Sequence, residues 1–184
     1  MPSKYKNIHG HFNFEAVYEE QVRLANDGDH FLEIGCYFGR STAYLAECII
    51  ESGKDILLHV IDTFNGEGNG TELEDGYFRA KFEENMKNCG VHHIIKIHEG
   101  KSELLSDSFE DGSLSFVYID GYHEYETVCS DIKKYKKKLK PMKLLAGHDY
   151  QAPGVKRAVD ELLGIDNLTF HQNTWMYVAN NYNE

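Results

Sequence analysis

The chain has 184 residues, with 19 Lys and Arg against 30 Asp and Glu, a formal net charge of −11. That length suits a single domain with its own core, and 41% hydrophobic with 12% aromatic residues argues against disorder. No apolar run approaches the ~20 residues of a membrane span, residues 1–18 lack the apolar stretch of a signal peptide, and the acidic balance opposes long-range attraction to nucleic acid. Four cysteines, at 36, 48, 89 and 129, form no Cys-x-x-Cys pair, so neither a zinc ribbon nor a disulfide framework is indicated and the expected location is the cytoplasm.

Phe14, Val17, Tyr18, Val22 and Ala25 share a helical face that ends at Asn26-Asp27-Gly28, giving an N-terminal helical segment over 1–28 ahead of a core over 29–184. Phe31 to Ile34 reads as a short buried strand. Ser41 then caps a helix carrying Leu45, Ala46, Ile49 and Ile50, closed by Ser52-Gly53. Ile56 to Ile61 is a second strand ending at Asp62. Phe78, Phe82, Met86 and Cys89 recur at helical spacing after a Gly-rich, acidic loop, Asn65 to Tyr77, long enough to act as a lid. Ile94 to Ile97 and Leu114 to Ile119 are the next strands. Val128, Ile132, Tyr135 and Leu139 stripe a helix, Leu144 to Ala146 is a fifth strand, and Val155, Ala158, Val159, Leu162 and Leu163 stripe another helix. Leu168 to His171 and Trp175 to Ala179 close the chain as two strands. Strand and helix alternate at least four times before this hairpin, the pattern of an α/β sheet with a parallel centre and an antiparallel edge pair.

In such a sheet ligands sit at the carboxyl ends of the strands. Glu33 to Thr42 spans the first of these ends. It is not the dinucleotide fingerprint, since Tyr37 stands where the second glycine belongs, and this argues against a nicotinamide dehydrogenase. Gly100-Lys101-Ser102 is not a phosphate loop, because Ile95 occupies the position of its first glycine. The lysine-rich stretch 133–143, with seven Lys and no acid, reads as the solvated side of an amphipathic helix rather than a nucleic-acid surface. Asp120-x-x-His123 and His148-Asp149-Tyr150 close what should be adjacent strands. Their carboxylates suit Mg²⁺, and an imidazole there suits a general base.

The pattern E-x-G-x-x-x-G-x-S-T at 33–42, Val60-Ile61-Asp62-Thr63-Phe64, and Tyr118-Ile119-Asp120-Gly121-Tyr122-His123-Glu124-Tyr125-Glu126 resemble class I S-adenosylmethionine-dependent methyltransferases. More narrowly, they resemble the small-molecule O-methyltransferase branch that includes the macrolide-sugar enzymes, over roughly residues 30 to 163. The resemblance implies a Rossmann-like, seven-stranded, mostly parallel sheet with an antiparallel last strand and helices on both faces. It implies S-adenosylmethionine bound by Glu33, Gly35, Tyr37, Gly39, Ser41, Thr42, Asp62, Thr63, Lys101, Ser102 and Asp120. The methionine moiety would lie over Gly35 near Glu33, the ribose hydroxyls on Asp62, and the adenine beside Gly100-Lys101-Ser102. Asp120 and His123 would be catalytic, His123 taking the proton. Asp120 and Asp149 would hold Mg²⁺, with His148 either a third ligand or a donor orienting Asp149.

Two departures from the family stand out. Tyr150 follows Asp149 where related metal-dependent enzymes have Asn, and Met142 replaces a turn glycine, so that turn is expected to change type. The expected acceptor is a small sugar or phenolic hydroxyl compound. The N-terminal residues Tyr5, His9, His11 and Phe12 would form one wall of its pocket, and a second copy of the chain could complete it. A non-catalytic S-adenosylmethionine-binding module and a nucleic-acid methyltransferase are the alternatives.

Overall fold

The computed structural model describes residues 4–66 and 76–179, so most of the expected lid, Asn65 to Tyr77, lies outside the described residues. In chain order the main elements are α1 (Glu15–Leu24), β1 (Asp29–Ile34), α2 (Arg40–Ser52), β2 (Ile56–Asp62), α3 (Tyr77–Cys89), β3 (Ile95–Glu99), α4 (Ser102–Leu105), β4 (Leu114–Ile119), α5 (Tyr125–Tyr135), β5 (Leu139–Gly147), α6 (Pro153–Leu163), β6 (Leu168–His171) and β7 (Thr174–Val178). The strands form one sheet in the order β3-β2-β1-β4-β5-β7-β6. All neighbours from β3 to β5 are parallel, and β7 runs antiparallel to both β5 and β6. This is the Rossmann-like arrangement expected from the sequence.

The central strands read as apolar runs because both of their faces are covered. Phe31, Leu58, Val60, Phe116 and Tyr118 pack with α1, α2 and α3 on one side. Leu32, Ile34, Ile61, Val117 and Leu145 pack with α5 and α6 on the other. The order of connection reverses between β1 and β4, and that reversal opens a crevice at their carboxyl ends. Among the described residues no helix is long and apolar enough to cross a membrane.

Three local readings change. The N-cap of α2 is Gly39, at φ 84°, not Ser41; Ser41 lies inside the helix and its hydroxyl donates to Glu33 at 2.6 Å. Leu139 does not continue the helical stripe of α5, because a 3₁₀ turn over Lys136–Lys138 ends the helix and Leu139 opens β5. Met142 does adopt the left-handed conformation, φ 61°, that its residue type disfavours. Its N–H donates to the carbonyl of Ala179 at 2.8 Å, and the pairing of β4 with β5 shifts register between Leu114 and Phe116.

The lysine-rich stretch is less solvated than its pattern suggests. Lys134 donates to the carbonyl of Glu103, Lys138 pairs with Asp111 at 2.8 Å, and Lys140 and Lys143 reach Asp29 at 2.7 and 3.7 Å. Asp29 opens β1, is buried, and also accepts from the N–H of Asn26 and the hydroxyl of Ser115. Burial alone would raise its pKa, but these hydrogen bonds and the Lys140 charge outweigh it and bring the carboxyl down from 3.8 to about 2. The stability this contributes is present above the unfolded value and is lost as pH falls through the folded one. Asp29→Asn should lower unfolding free energy at pH 7 by about 1 to 2 kcal/mol in urea titrations. The gap between variant and wild type should close as the titrations move from pH 4 towards about 2.

Candidate active site

The crevice between β1 and β4 depends on a close backbone approach. Asp120 donates its N–H to the carbonyl of Ile34 at 2.7 Å, and a Cβ on Gly35 would lie 2.2 Å from the carbonyl oxygen of Asp120. Gly35, at φ 84°, is therefore demanded by contact with β4 as well as by any ligand over the loop. Asp62, at the end of β2, organises the same loop. Its Oδ2 accepts from the N–H groups of Cys36 and Tyr37 at 2.8 and 3.0 Å, and its Oδ1 accepts from Phe64 at 2.8 Å. Tyr37 is thereby held at φ 49°, in place of the glycine a dinucleotide loop would use.

A cavity of about 890 Å³ opens over these strand ends, within the upper range of small-molecule sites. Of the expected donor-binding residues, Gly35, Tyr37, Ser41, Asp62, Thr63, Lys101, Ser102 and Asp120 line it. Glu33, Gly39 and Thr42 stand behind the wall. Glu33 is fully buried, with Tyr18 and Ser41 donating to Oε1 at 2.9 and 2.6 Å and Thr42 donating to Oε2. Burial pushes its carboxyl up to about 7 against the pull of those three hydroxyls. The structure thus shows Glu33 as a brace joining α1, β1 and α2. Gly39 faces α3: a Cβ there would meet the Met86 methyl at 2.4 Å and the Phe82 ring at 2.8 Å.

His9 and His11 line the cavity as the N-terminal wall, while Tyr5 packs into the core. Among the lining residues without a role in the sequence analysis are Arg40, Glu103, Thr127 and Asp131. Thr127 and Asp131 lie one turn apart on α5. Asp131 is buried, accepts from the Ser102 hydroxyl at 2.6 Å, and is pushed up to about 6 by burial. Its signal in the sequence is faint: it is the sole acid between Glu126 and the end of the lysine-rich stretch.

At the β4 and β5 ends the structure brings Asp120, His123 and Asp149 together, each offering a ligand atom within 4.8 Å of the other two. His123 Nε2 lies 3.0 Å from Asp149 Oδ2. Asp149, at φ 54°, also accepts from the Asn173 amide at 3.1 Å. The hydrogen bonds from His123 and His148 hold its carboxyl well below the usual range, so it is ionised at neutral pH. Asp120 is pushed up to about 6 by burial, while His148 pulls it down.

His148 sits beside this group rather than in it. Its Nε2 meets Asn13 Oδ1 at 2.9 Å, and its Nδ1 lies 3.3 Å from Asp149 and 3.9 Å from Asp120. Burial works against its protonation, but the hydrogen bond with Asp149 and the two carboxylate charges shift its pKa upward overall. Its Nδ1 thus faces both carboxylates from the side, next to the group formed by Asp120, His123 and Asp149. Two carboxylates fit a divalent ion that keeps several waters, with oxygen as the main ligand, and the His123 imidazole beside them is placed to handle a proton.

Residues 32–150 match the model of a family described as a methyltransferase domain, and the chain belongs to that family, as a class I S-adenosylmethionine-dependent methyltransferase. Solved structures of the same fold include the apo form of CalS11, a TDP-rhamnose 3′-O-methyltransferase in calicheamicin biosynthesis. It is 17% identical, with a TM-score of 0.65 over 89% of this chain and 77% of that one. The O-methyltransferase NovP is 17% identical, with a TM-score of 0.68 over 90% and 79% of the two chains. Cofactor-bound Rv0187 from MTB is 14% identical, with a TM-score of 0.66 over 97% and 87%. No curated protein matches the chain.

The brace at Glu33 makes a quantitative expectation. Glu33→Ala strands three buried hydroxyls and should cost about 3 kcal/mol or more of unfolding free energy, whereas Tyr18→Phe, removing one donor, should cost about 1 kcal/mol. Equilibrium urea unfolding of both variants checks the ordering, and equal losses would contradict it.

Proposed function

We propose that this methyltransferase acts on a hydroxyl of a small sugar or phenolic molecule, assisted by a divalent ion, Mg²⁺ by the character of its donor set. The observation that supports this most directly is the convergence of Asp120, His123 and Asp149 at the β4 and β5 ends, with Asp120 and His123 also lining the donor cavity. The O-methyltransferases CalS11 and NovP, which share the fold, agree with that acceptor chemistry. The four cysteines are free thiols, as suits a chain that works in the cytoplasm.

S-adenosylmethionine supplies an electrophilic methyl group on a sulfonium centre. We assign its adenine to Gly100-Lys101-Ser102, its ribose to Asp62 and its methionine end to the Gly35 loop, so that it lies across the strand order from β3 to β1. A divalent ion held by Asp120 and Asp149 would lower the pKa of an acceptor hydroxyl bound to it.

The remaining work falls to side chains. Asp149 accepts from His123 Nε2, which fixes the neutral ring as the tautomer with its lone pair on Nδ1, and that nitrogen takes the acceptor proton. Asn13 holds His148, whose Nδ1 stands 3.3 Å from Asp149 and 3.9 Å from Asp120. The Asp62-ordered loop fixes the donor, and alignment of acceptor oxygen, methyl carbon and sulfur contributes much of the rate.

His123→Ala and Asp149→Asn should each lower methyl transfer about 100-fold or more while leaving S-adenosylhomocysteine affinity within about threefold of wild type. EDTA should suppress transfer and Mg²⁺ restore it. The measurements are calorimetric titration with S-adenosylhomocysteine and turnover across a panel of sugar and phenol acceptors. Unchanged transfer in both variants would remove the site assignment, and transfer confined to RNA or DNA would remove the acceptor class.

A further inference from the structure

Arg40 opens α2 in the middle of the motif that follows β1. It lines the donor cavity. Its Nη1 donates to the carbonyl of Gly10 at 2.8 Å, whereas its Nε is buried and has no hydrogen-bond partner in the protein. Among the described residues no carboxylate forms an ion pair with it. A guanidinium is permanently charged, and with one N–H on Gly10 and no carboxylate among the described residues paired with it, the part of this side chain that lines the cavity is where an anionic group from outside the chain would pair.

The strand order says which end of the donor that group belongs to. The cavity runs along the carboxyl ends of β3, β2, β1 and β4. With adenine beside Lys101 at the β3 end and ribose at Asp62 on β2, the amino-acid end of the donor reaches β1 and the start of α2, where Arg40 stands. The acids in the cavity wall, among them Asp62, Asp120 and Glu124, would repel a carboxylate there. Lys101 is too far along the strand order to offset them. We propose that Arg40 binds the carboxylate of the donor's methionine end, an inference that rests on the donor orientation assigned above.

The same guanidinium holds Gly10, so it bridges the donor to the N-terminal segment. That segment is anchored on both sides of Gly10. Tyr5 and Ile8 are buried in the core, and Asn13 reaches His148 at 2.9 Å behind Asp120 and Asp149. His9, between them, packs edge-on to Tyr37 with ring centroids 6.0 Å apart. Donor binding at Arg40 therefore secures the wall that faces the acceptor.

The test compares two ligands by calorimetry: S-adenosylhomocysteine, and 5′-methylthioadenosine, which keeps the adenosine and the sulfur but has no carboxylate. Arg40→Met should weaken S-adenosylhomocysteine about ten- to a hundredfold and leave methylthioadenosine within about twofold. Arg40→Lys keeps the charge but loses the planar fork, and should fall between wild type and Arg40→Met. Parallel losses for both ligands would make Arg40 a support of the N-terminal segment only and overturn the proposal, as would no loss for either. Should Arg40→Met fail to fold, Arg40→Lys carries the same comparison. A wild-type chain that binds S-adenosylhomocysteine no more tightly than methylthioadenosine also overturns the proposal, without any substitution. Absence of binding by the wild-type chain to both ligands is a separate result: it removes the donor orientation itself, and this inference with it.

Discussion

The constraint on which the rest of the site depends is the contact between the ends of β1 and β4. The missing Cβ of Gly35 lets the carbonyl of Asp120 approach to a position that any side chain would occupy. One contact thus sets two things: the path of the donor loop, and the height of Asp120 above the sheet. The loop's glycine is usually explained by the ligand lying over it. Here the neighbouring strand already requires glycine, so the ligand surface follows from how the sheet closes at its switch point.

Charges are used in this fold mainly as braces. Glu33 gathers hydroxyls from α1 and α2, Asp62 gathers three backbone N–H groups of the loops after β1 and β2, and Asp29 gathers Lys140, Ser115 and Asn26 at the opposite end of β1. Each carboxylate faces several donors, which is the condition under which a buried acid is tolerated. Glu33, Asp120 and Asp131 are all raised by burial, but Glu33 lies behind the cavity wall whereas the other two line the cavity. Asp120 and Asp131 have fewer donors than Glu33 and stand where an entering ligand or ion would face them.

The strand ends were legible in the sequence because an α/β sheet places its chemistry there, and Gly35, Asp62, Asp120 and His123 are the residues that end or follow apolar runs. What escaped was whatever depends on register or on distant pairing. Ser41 reads as a cap by residue type, but the left-handed Gly39 starts the helix one residue before Arg40 and turns Ser41 inward to Glu33. Leu139 fits a helical stripe, but the 3₁₀ turn before it moves it to a strand. Asp131 and Thr127 reach the cavity only through the rotation of α5 against the sheet. His148 meets Asn13, 135 residues away in sequence, and no local pattern reports such a contact.

The balance of charge in the cavity wall also separates the donor from what remains of it after transfer. Asp62, Glu103, Asp120, Glu124 and Asp131 face Arg40 and Lys101 across the same space, so acids outnumber permanent cations. For a donor bound as proposed, the ionised acids of that wall would favour a sulfonium over a neutral thioether, because a low-dielectric cleft strengthens the interaction of carboxylates with a cation. Methyl transfer removes the positive charge from sulfur while leaving the adenosine and the amino-acid contacts intact. The acids of the cavity wall belong to the same negative balance that argued against nucleic acid as a partner, and their sign suits a cationic donor.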